Sequence, residues 1–166
     1  DYRSSRGLGD VYKRQTHGIP SEKNAHPHHS KNIFVVHNGI IENHDDLRAY
    51  LKAEGIRFST QTDTEVIGHL IRTFTEKGQS FEKAVFNTIK KLKGAYALGI
   101  IDKNNPEQII GVRNQSPLVL GKGFEENFIA SDVMALAPVT NKFTYLDDGQ
   151  VALCLLYTSP SPRDDR

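Results

Sequence analysis

The chain has 166 residues, 37% hydrophobic and 25% charged, which is ordinary for one globular domain with a buried core. Its formal net charge of +1 gives no reason to expect a nucleic acid or an anionic membrane surface as a partner. The single cysteine excludes an internal disulfide framework and indicates a reducing, cytoplasmic location. No apolar run approaches the roughly 20 residues of a membrane span, and the first residues lack the apolar segment of a signal peptide.

The two ends of the chain are related through their coding DNA. Codons for Ser5 to Gln15 can be chosen so that their reverse complement encodes Cys154 to Arg163. Unrelated tails would almost never encode opposite strands of one duplex over such a length, and the pair resembles a transposon adaptor used to prepare sequencing libraries. We therefore expect residues 1–15 and 154–166 to be adaptor-derived and non-native, and residues 16–153 to be the native protein sequence. The only cysteine, Cys154, then has no evolved role.

The predicted elements begin with a strand and a helix. The run NIFVVHNG (32–39) is apolar, β-branched and ends on Asn-Gly, so it predicts a buried strand that enters a tight turn. DDLRAYLKAEG (45–55) predicts a helix with Leu47, Tyr50 and Leu51 on one face, which stops at Gly55.

Two more helices are predicted in the middle of the chain. TDTEVIGHLIRTFTEKG (62–78) opens with Thr62 and Glu65 in capping-box spacing and ends at Gly78. SFEKAVFNTIKKLKG (80–94) repeats the pattern with Ser80 as its cap. The inward faces are predicted to carry Val66, Ile67, Leu70, Ile71 and Phe74 in the first helix and Phe81, Val85, Ile89 and Leu92 in the second.

The second half of the chain has the pattern of short strands separated by turn residues. The predicted strands are AYALGII, QIIGVRN, PLVLG, NFIAS, FTYL and QVAL, and SDVMALAP between them predicts a short helix. Because the helices cluster first and the strands follow, we expect an α+β fold with a largely antiparallel sheet.

Two short motifs could carry chemistry. A strand that ends in Asn38-Gly39 can present backbone N–H groups and an amide as an oxyanion hole, although Asn-Gly in isolation is more often a hairpin turn. Asp63 at a helix start could hold a substrate ammonium, although plain capping is favoured in isolation. His26, His28 and His29 lie close together with His17 upstream, but their spacing fits no standard zinc pattern, so we expect a polar loop and no metal.

The order of these motifs is more specific than any one of them. The chain contains THG-PSE-NAHPH, VVHNGIIENH, TDTEV, KGAYAL, SPLVLG and FIASD in that order. This combination resembles the glutaminase domains of class II glutamine amidotransferases, and most specifically the family of glutamine–fructose-6-phosphate aminotransferases (isomerizing). The resemblance covers essentially all of residues 16–153.

This resemblance implies a fold, a reaction and roles for particular residues. The fold is the αββα sandwich of the N-terminal-nucleophile hydrolases, and a cysteine at the mature N-terminus attacks the glutamine amide to release ammonia. Asn38 and Gly39 match the oxyanion-hole positions, and Asp63 matches the residue that binds the α-ammonium of glutamine. Thr16 and His17 match the end of a loop that closes over the substrate. No cofactor is implied.

The sequence also departs from the family pattern. Lys13, Arg14 and Gln15 stand where the family has an Arg-Trp-Ala run before THG, and the nucleophilic cysteine and its strands are absent. We therefore expect an incomplete sandwich and an inactive fragment of a homo-oligomeric parent, whose sugar-isomerase domains bind fructose 6-phosphate. Two alternatives stay open: another class II amidotransferase, such as an amidophosphoribosyltransferase, and a non-catalytic amino-acid-binding module.

Overall fold

The computed structural model describes residues 21–124 and 126–155. Helix α1 spans His44–Ala53, α2 spans Glu65–Glu76 and α3 spans Phe81–Ile89, so a helix lies at each of the three predicted places. Short 3₁₀ turns lie at Glu22–Asn24 and Val133–Ala135, the second where a short helix was predicted. Within the described residues, no helix has both the length and the apolar character needed to cross a membrane.

The predicted ends of α1 and α2 and the predicted cap of α3 are confirmed by the backbone, whereas α3 ends at Ile89, before Leu92, which was predicted to lie on its inward face. Gly55 and Gly78 follow α1 and α2 with positive φ angles of +81° and +83°, a conformation that favours glycine. At the start of α3, the Ser80 Oγ accepts the Lys83 N–H at 3.4 Å. Local backbone chemistry therefore sets the ends of α1 and α2 and the start of α3.

The apolar face of α1 is narrower than the sequence predicted. Leu47 and Leu51 are buried, as expected, but Tyr50 is 43% exposed, so its predicted inward position is wrong. The Tyr50 ring lies instead at the surface, with the Lys91 Nζ 5.9 Å from its centroid. An aromatic ring can stay at the surface when a cation faces it.

Eight strands are present in the described ranges. Their bounds in chain order are β1 His28–Ser30, β2 Ile33–Gly39, β3 Tyr96–Asp102, β4 Asn105–Asn114, β5 Val119–Lys122, β6 Asn127–Ala130, β7 Phe143–Tyr145 and β8 Val151–Leu155. The central sheet has the order β1-β2-β3-β4-β8 and the second sheet the order β6-β5-β7. Every pair of neighbouring strands is antiparallel, which confirms the predicted sheet type.

Strand β1 lies where the sequence predicted a polar loop, and that prediction is wrong. His28 and Ser30 are buried, because β1 pairs with β2 and packs close to α2. A Cβ added at Gly68 of α2 would lie 3.3 Å from the Ser30 Cβ. Hydrogen bonds make this burial tolerable: His28 Nε2 lies 3.2 Å from the Thr62 Oγ1, and the Ser30 Oγ lies 2.8 Å from the His69 Nδ1.

The layers stack as helices, central sheet and second sheet. The main core lies between the helices and the central sheet, and Val35, Leu98 and Ile67 of α2 belong to it. On the opposite face of the sheet, Gly111 permits close packing, since a Cβ there would lie 3.2 Å from the Ile129 Cδ1 of β6. The described residues thus form three successive layers of the predicted αββα sandwich.

Candidate active site

The Asn38-Gly39 pair forms the last two residues of β2. Asn38 pairs with Ala97 and Gly39 with Tyr96 of β3, so the pair continues the ladder and makes no hairpin turn. The predicted tight turn at this position is therefore wrong. The prediction failed because β2 pairs with a strand far along the chain, and the local Asn-Gly signal does not reveal that pairing.

The backbone at Gly39 requires glycine. Its φ is +124°, and a Cβ there would lie 2.1 Å from the Ala95 carbonyl oxygen. The chain then leaves the sheet, and the Ile40 N–H donates to the same oxygen at 2.8 Å. This close approach fixes the end of β2, where the side chain of Asn38 is exposed. A strand end held in this way can direct an amide and backbone N–H groups at a developing negative charge.

Asp63 lies across the end of β2. Its Oδ2 accepts the N–H of Ile41 at 2.9 Å, and its Oδ1 is 3.8 Å from the His37 Nδ1. Because Ile41 is only two residues beyond Gly39, covalent geometry places the carboxylate within roughly 10 Å of the Gly39 Cα. The structure therefore brings Asp63 together with Asn38 and Gly39, although β2 and the start of α2 are separate elements.

The predicted capping box between Thr62 and Glu65 is not formed. The N-cap residue of α2 is Thr64, and Glu65 is the first residue of the helix, so the two residues lie at the wrong positions for a capping box. The Glu65 carboxylate instead reaches back to the preceding loop. It accepts the N–H groups of Ser59 and Thr60, both at 2.7 Å, and their hydroxyls at 2.9 and 2.6 Å.

The Glu65 carboxylate is an ionised group in a buried place. Burial would raise the pKa of this carboxyl, but the hydrogen bonds from His69, Ser59 and Thr60 outweigh that effect and hold its pKa well below the usual range. The His69 Nε2 lies 3.3 Å from the Glu65 Oε1. Glu65 therefore keeps its negative charge at neutral pH and anchors the loop that leads to Asp63.

Arg48 of α1 binds the same loop by donating hydrogen bonds to the carbonyl groups of the loop. Its Nη1 donates to the Thr60 oxygen at 3.1 Å and its Nη2 to the Thr62 oxygen at 2.7 Å. The guanidinium also lies 4.2 Å from the centroid of the Phe58 ring. The sequence alone indicates no role for Arg48 or for the Glu65 carboxylate in this loop. Only the folded chain brings the Arg48 guanidinium to the loop, and no local motif marks that contact.

Three histidines lie near Asp63. The ring centroid of His26 is 5.0 Å from that of His28 and 6.5 Å from that of His37. Burial lowers the pKa of His26, and burial together with the neighbouring His26 lowers the pKa of His28; the Asp63 charge opposes both shifts without reversing them. The ring of His29 stacks on Phe34 instead. Among the described residues, no group of three or more His, Cys, Asp or Glu side chains could hold a metal ion.

Cys154 lies away from this site. It belongs to β8 and pairs with Ile109 of β4, so three strand spacings, roughly 14 Å, separate its strand from β2. Burial raises the pKa of the Cys154 thiol, whereas a reactive cysteine has a lowered pKa. The other two predicted site residues, Thr16 and His17, lie outside the described residues.

A cavity of about 360 Å³ lies on the β1 side of the loop before α2. His28, Thr60 and Glu65 are among its lining residues, whereas Asn38, Gly39 and Asp63 are not. The loop therefore lines the cavity through Ser59 and Thr60, whereas Asp63 binds the Ile41 N–H just beyond β2.

The sequence matches the glutamine amidotransferase domain family over residues 13–138. It is 51% identical over 147 residues to the glutamine–fructose-6-phosphate aminotransferases (isomerizing) of Escherichia coli strain K12 and Shigella flexneri. It is 53% identical over 139 residues to that of Buchnera aphidicola subsp. Acyrthosiphon pisum. These alignments cover 88% and 83% of this chain but 24% and 23% of the relatives, so the chain spans about a quarter of their length.

Two solved structures share the fold. One is a glutamine phosphoribosylpyrophosphate amidotransferase from B. subtilis complexed with ADP and GMP, with a TM-score of 0.68 and 24% identity over 81% of this chain and 30% of that chain. The other, described as the allosteric regulatory enzyme of purine biosynthesis, has a TM-score of 0.68 and 26% identity, covering 80% of this chain and 30% of its own. The likeness confirms the predicted α+β fold of the N-terminal-nucleophile hydrolases.

Proposed function

The chain belongs to the glutamine amidotransferase domain family, and from this premise we propose that residues 16–153 are part of a domain that hydrolyses glutamine to glutamate and ammonia. In the complete protein, the ammonia converts fructose 6-phosphate to glucosamine 6-phosphate, which is the reaction of a glutamine–fructose-6-phosphate transaminase (isomerizing). The 51% identity to relatives of that name supports this choice. Residues 1–15 and 154–166 are adaptor-derived in this proposal.

The observation that carries the proposal is the position of Asp63 beside the end of β2. Its carboxylate is held by the Ile41 N–H at 2.9 Å, two residues beyond Gly39. One glutamine molecule can then place its α-ammonium on Asp63 and its amide carbonyl against Asn38 and Gly39. The charge of a carboxylate suits the first group, and the exposed Asn38 amide with neighbouring backbone N–H groups suits an oxyanion.

The chemistry needs a thiolate in addition to these residues. In the complete protein, a cysteine at the mature N-terminus attacks the amide carbon, and Asn38 and Gly39 stabilise the oxyanion that forms. Ammonia leaves, and water hydrolyses the resulting glutamyl thioester to glutamate and free thiolate. These acyl transfers to sulfur and then to water need no metal or cofactor. Thr16 and His17, which lie outside the described residues, are assigned to glutamine binding in this proposal.

The complete protein is cytoplasmic and homo-oligomeric, and its sugar-isomerase domains hold fructose 6-phosphate. An amidophosphoribosyltransferase-like parent is the alternative, supported by the shared fold of the two solved structures. Gene sequence after residue 153 separates them, since the first requires sugar-isomerase domains and the second a phosphoribosyl-binding domain.

The test uses the complete protein from the source organism and the variant Asp63→Asn. The variant keeps an oxygen that can accept the Ile41 N–H and removes the charge. We expect the KM for glutamine to rise by on the order of tenfold or more, because a hydrogen bond to a charged group is lost. Asp46→Asn, at an exposed position in the first turn of α1, is the matched control and should leave the KM unchanged. An unchanged KM in Asp63→Asn contradicts the assignment, and an inactive wild-type protein favours the non-catalytic binding module.

A further inference from the structure

The loop before Asp63 is held by two charged side chains. Glu65 binds the N–H groups and hydroxyls of Ser59 and Thr60, and Arg48 binds the carbonyl oxygens of Thr60 and Thr62. Thr60 is bound by both residues, through its carbonyl oxygen on one side and through its N–H and hydroxyl on the other. The Glu65 carboxylate thus binds N–H groups of this short segment, and the Arg48 guanidinium binds its carbonyl groups.

This segment determines where the Asp63 carboxylate lies. The Thr62 carbonyl that Arg48 binds belongs to the peptide bond that leads into Asp63. On the other side of Asp63, Glu65 is the first residue of α2, and the next residues, Val66 and Ile67, are fully buried in the main core. Asp63 therefore lies between two anchored points, and loss of either anchor leaves its carboxylate less well placed against the end of β2.

We propose that Arg48 and Glu65 are positioning residues that hold the Asp63 carboxylate in place and thereby set the preference of the site for a ligand with an α-ammonium group. This inference rests on the proposed function, which gives Asp63 that ligand. In this proposal both side chains act through Asp63. A misplacement of about 1 Å is enough to weaken such a contact by an order of magnitude or more.

A purely structural role predicts a different result. If Arg48 and Glu65 only stabilised the fold, their loss would weaken the binding of every ligand of the site to the same extent. If they act through Asp63, their loss weakens only ligands that have an α-ammonium. L-glutamate and glutarate separate the two cases, because they differ only in that group.

The experiment measures inhibition constants of L-glutamate and glutarate against glutamine hydrolysis by the complete protein. The variants are Arg48→Lys and Glu65→Gln, with Asp63→Asn as the positive control. Arg48→Lys keeps the charge but not the two-pronged contact, and Glu65→Gln keeps the shape but places an NH₂ group among N–H and O–H donors. Arg57→Lys, at an exposed position beside Phe58, is the matched control.

We expect the ratio of the glutarate constant to the glutamate constant to fall by about fivefold or more in Arg48→Lys and Glu65→Gln, and to stay at the wild-type value in Arg57→Lys. If Asp63→Asn lowers the ratio while a folded Arg48→Lys or Glu65→Gln keeps it, this inference is wrong and the proposed function stands. If Asp63→Asn keeps the ratio, the role of Asp63 and this inference fail together. A melting temperature for each variant identifies any that does not fold, and the test then rests on whichever of Arg48→Lys and Glu65→Gln is folded.

Discussion

Gly39 and Gly94 pack reciprocally: each lies against the carbonyl oxygen of the residue that follows the other glycine. A Cβ at Gly39 would lie 2.1 Å from the Ala95 oxygen, and a Cβ at Gly94, whose φ is +118°, would lie 2.3 Å from the Ile40 oxygen. Between them the Ile40 N–H donates to the Ala95 oxygen at 2.8 Å. The end of β2 and the approach to β3 are therefore fixed by direct backbone contact, with no room for a side chain.

This contact predicts that Gly39→Ala and Gly94→Ala are both strongly destabilising. Gly55→Ala is the matched control, because Gly55 also has a positive φ but nothing within 4 Å of an added Cβ. We expect the control to lower the free energy of unfolding by about 1–2 kcal/mol, from backbone strain alone. The other two should lower it by about 4 kcal/mol or more, since the backbones must also move apart. Urea unfolding of the complete protein measures these values. Equal losses in all three variants would show that the close backbone contacts at Gly39 and Gly94 add nothing to the strain of a positive φ.

The lowered pKa of Glu65 predicts a pH-dependent stability. A carboxyl whose pKa is lower in the folded than in the unfolded chain stabilises the fold above its usual pKa of 4.5, and that contribution is lost as the pH falls below it. The difference in unfolding free energy between wild type and Glu65→Gln should therefore be largest above about pH 5.5 and shrink toward pH 3, by at most about 1.4 kcal/mol per pH unit.

Glu54→Gln is the matched control for that measurement. Glu54 is exposed at the C-cap of α1, and its replacement should change the unfolding free energy by less than about 0.5 kcal/mol. A Glu65→Gln difference that stays constant from pH 7 to pH 3 would show that the charge of Glu65 is not what holds the loop.

Cys154 should not support glutamine hydrolysis. A polypeptide of these 166 residues has no other thiol, and this one lies three strands from β2, in register with Ile109 of β4. It is thus roughly 14 Å from the strand of Asn38, too far for attack on a carbonyl held there. We expect no release of ammonia above background from this polypeptide. Release that disappears in Cys154→Ser would contradict the prediction.

The complementary coding of the two ends predicts that they are absent from the natural gene. Amplification of the locus from source DNA should give other residues in place of DVYKRQ (10–15) and CLLYTS (154–159). Strand β8 continues through Cys154 to Leu155, two residues into the second of these segments. Either sequence recovered from the genome would contradict this prediction.

Local signals in the sequence predicted much of the secondary structure. Gly55, Gly78 and Ser80 mark helix boundaries correctly, because the conformations they favour depend on a few neighbouring residues. The antiparallel strands were recognisable for a similar reason, since short apolar runs between turn residues describe each strand by itself. The ordered motifs indicated the family, and the match to the glutamine amidotransferase domain over residues 13–138 shows it independently.

Only the tertiary structure decided how the parts of the site meet. Asn38-Gly39 has a local hairpin signal, yet its partners are Ala97 and Tyr96, so pairing with a distant strand overrode the signal. Glu65 has capping-box spacing from Thr62, yet its carboxylate binds the loop at 59–60. The His28–Ser30 segment has a polar composition, yet buried partners make it a strand. In each case the deciding hydrogen bonds exist only after packing has removed water from the polar groups, so that each group must find its partner within the fold.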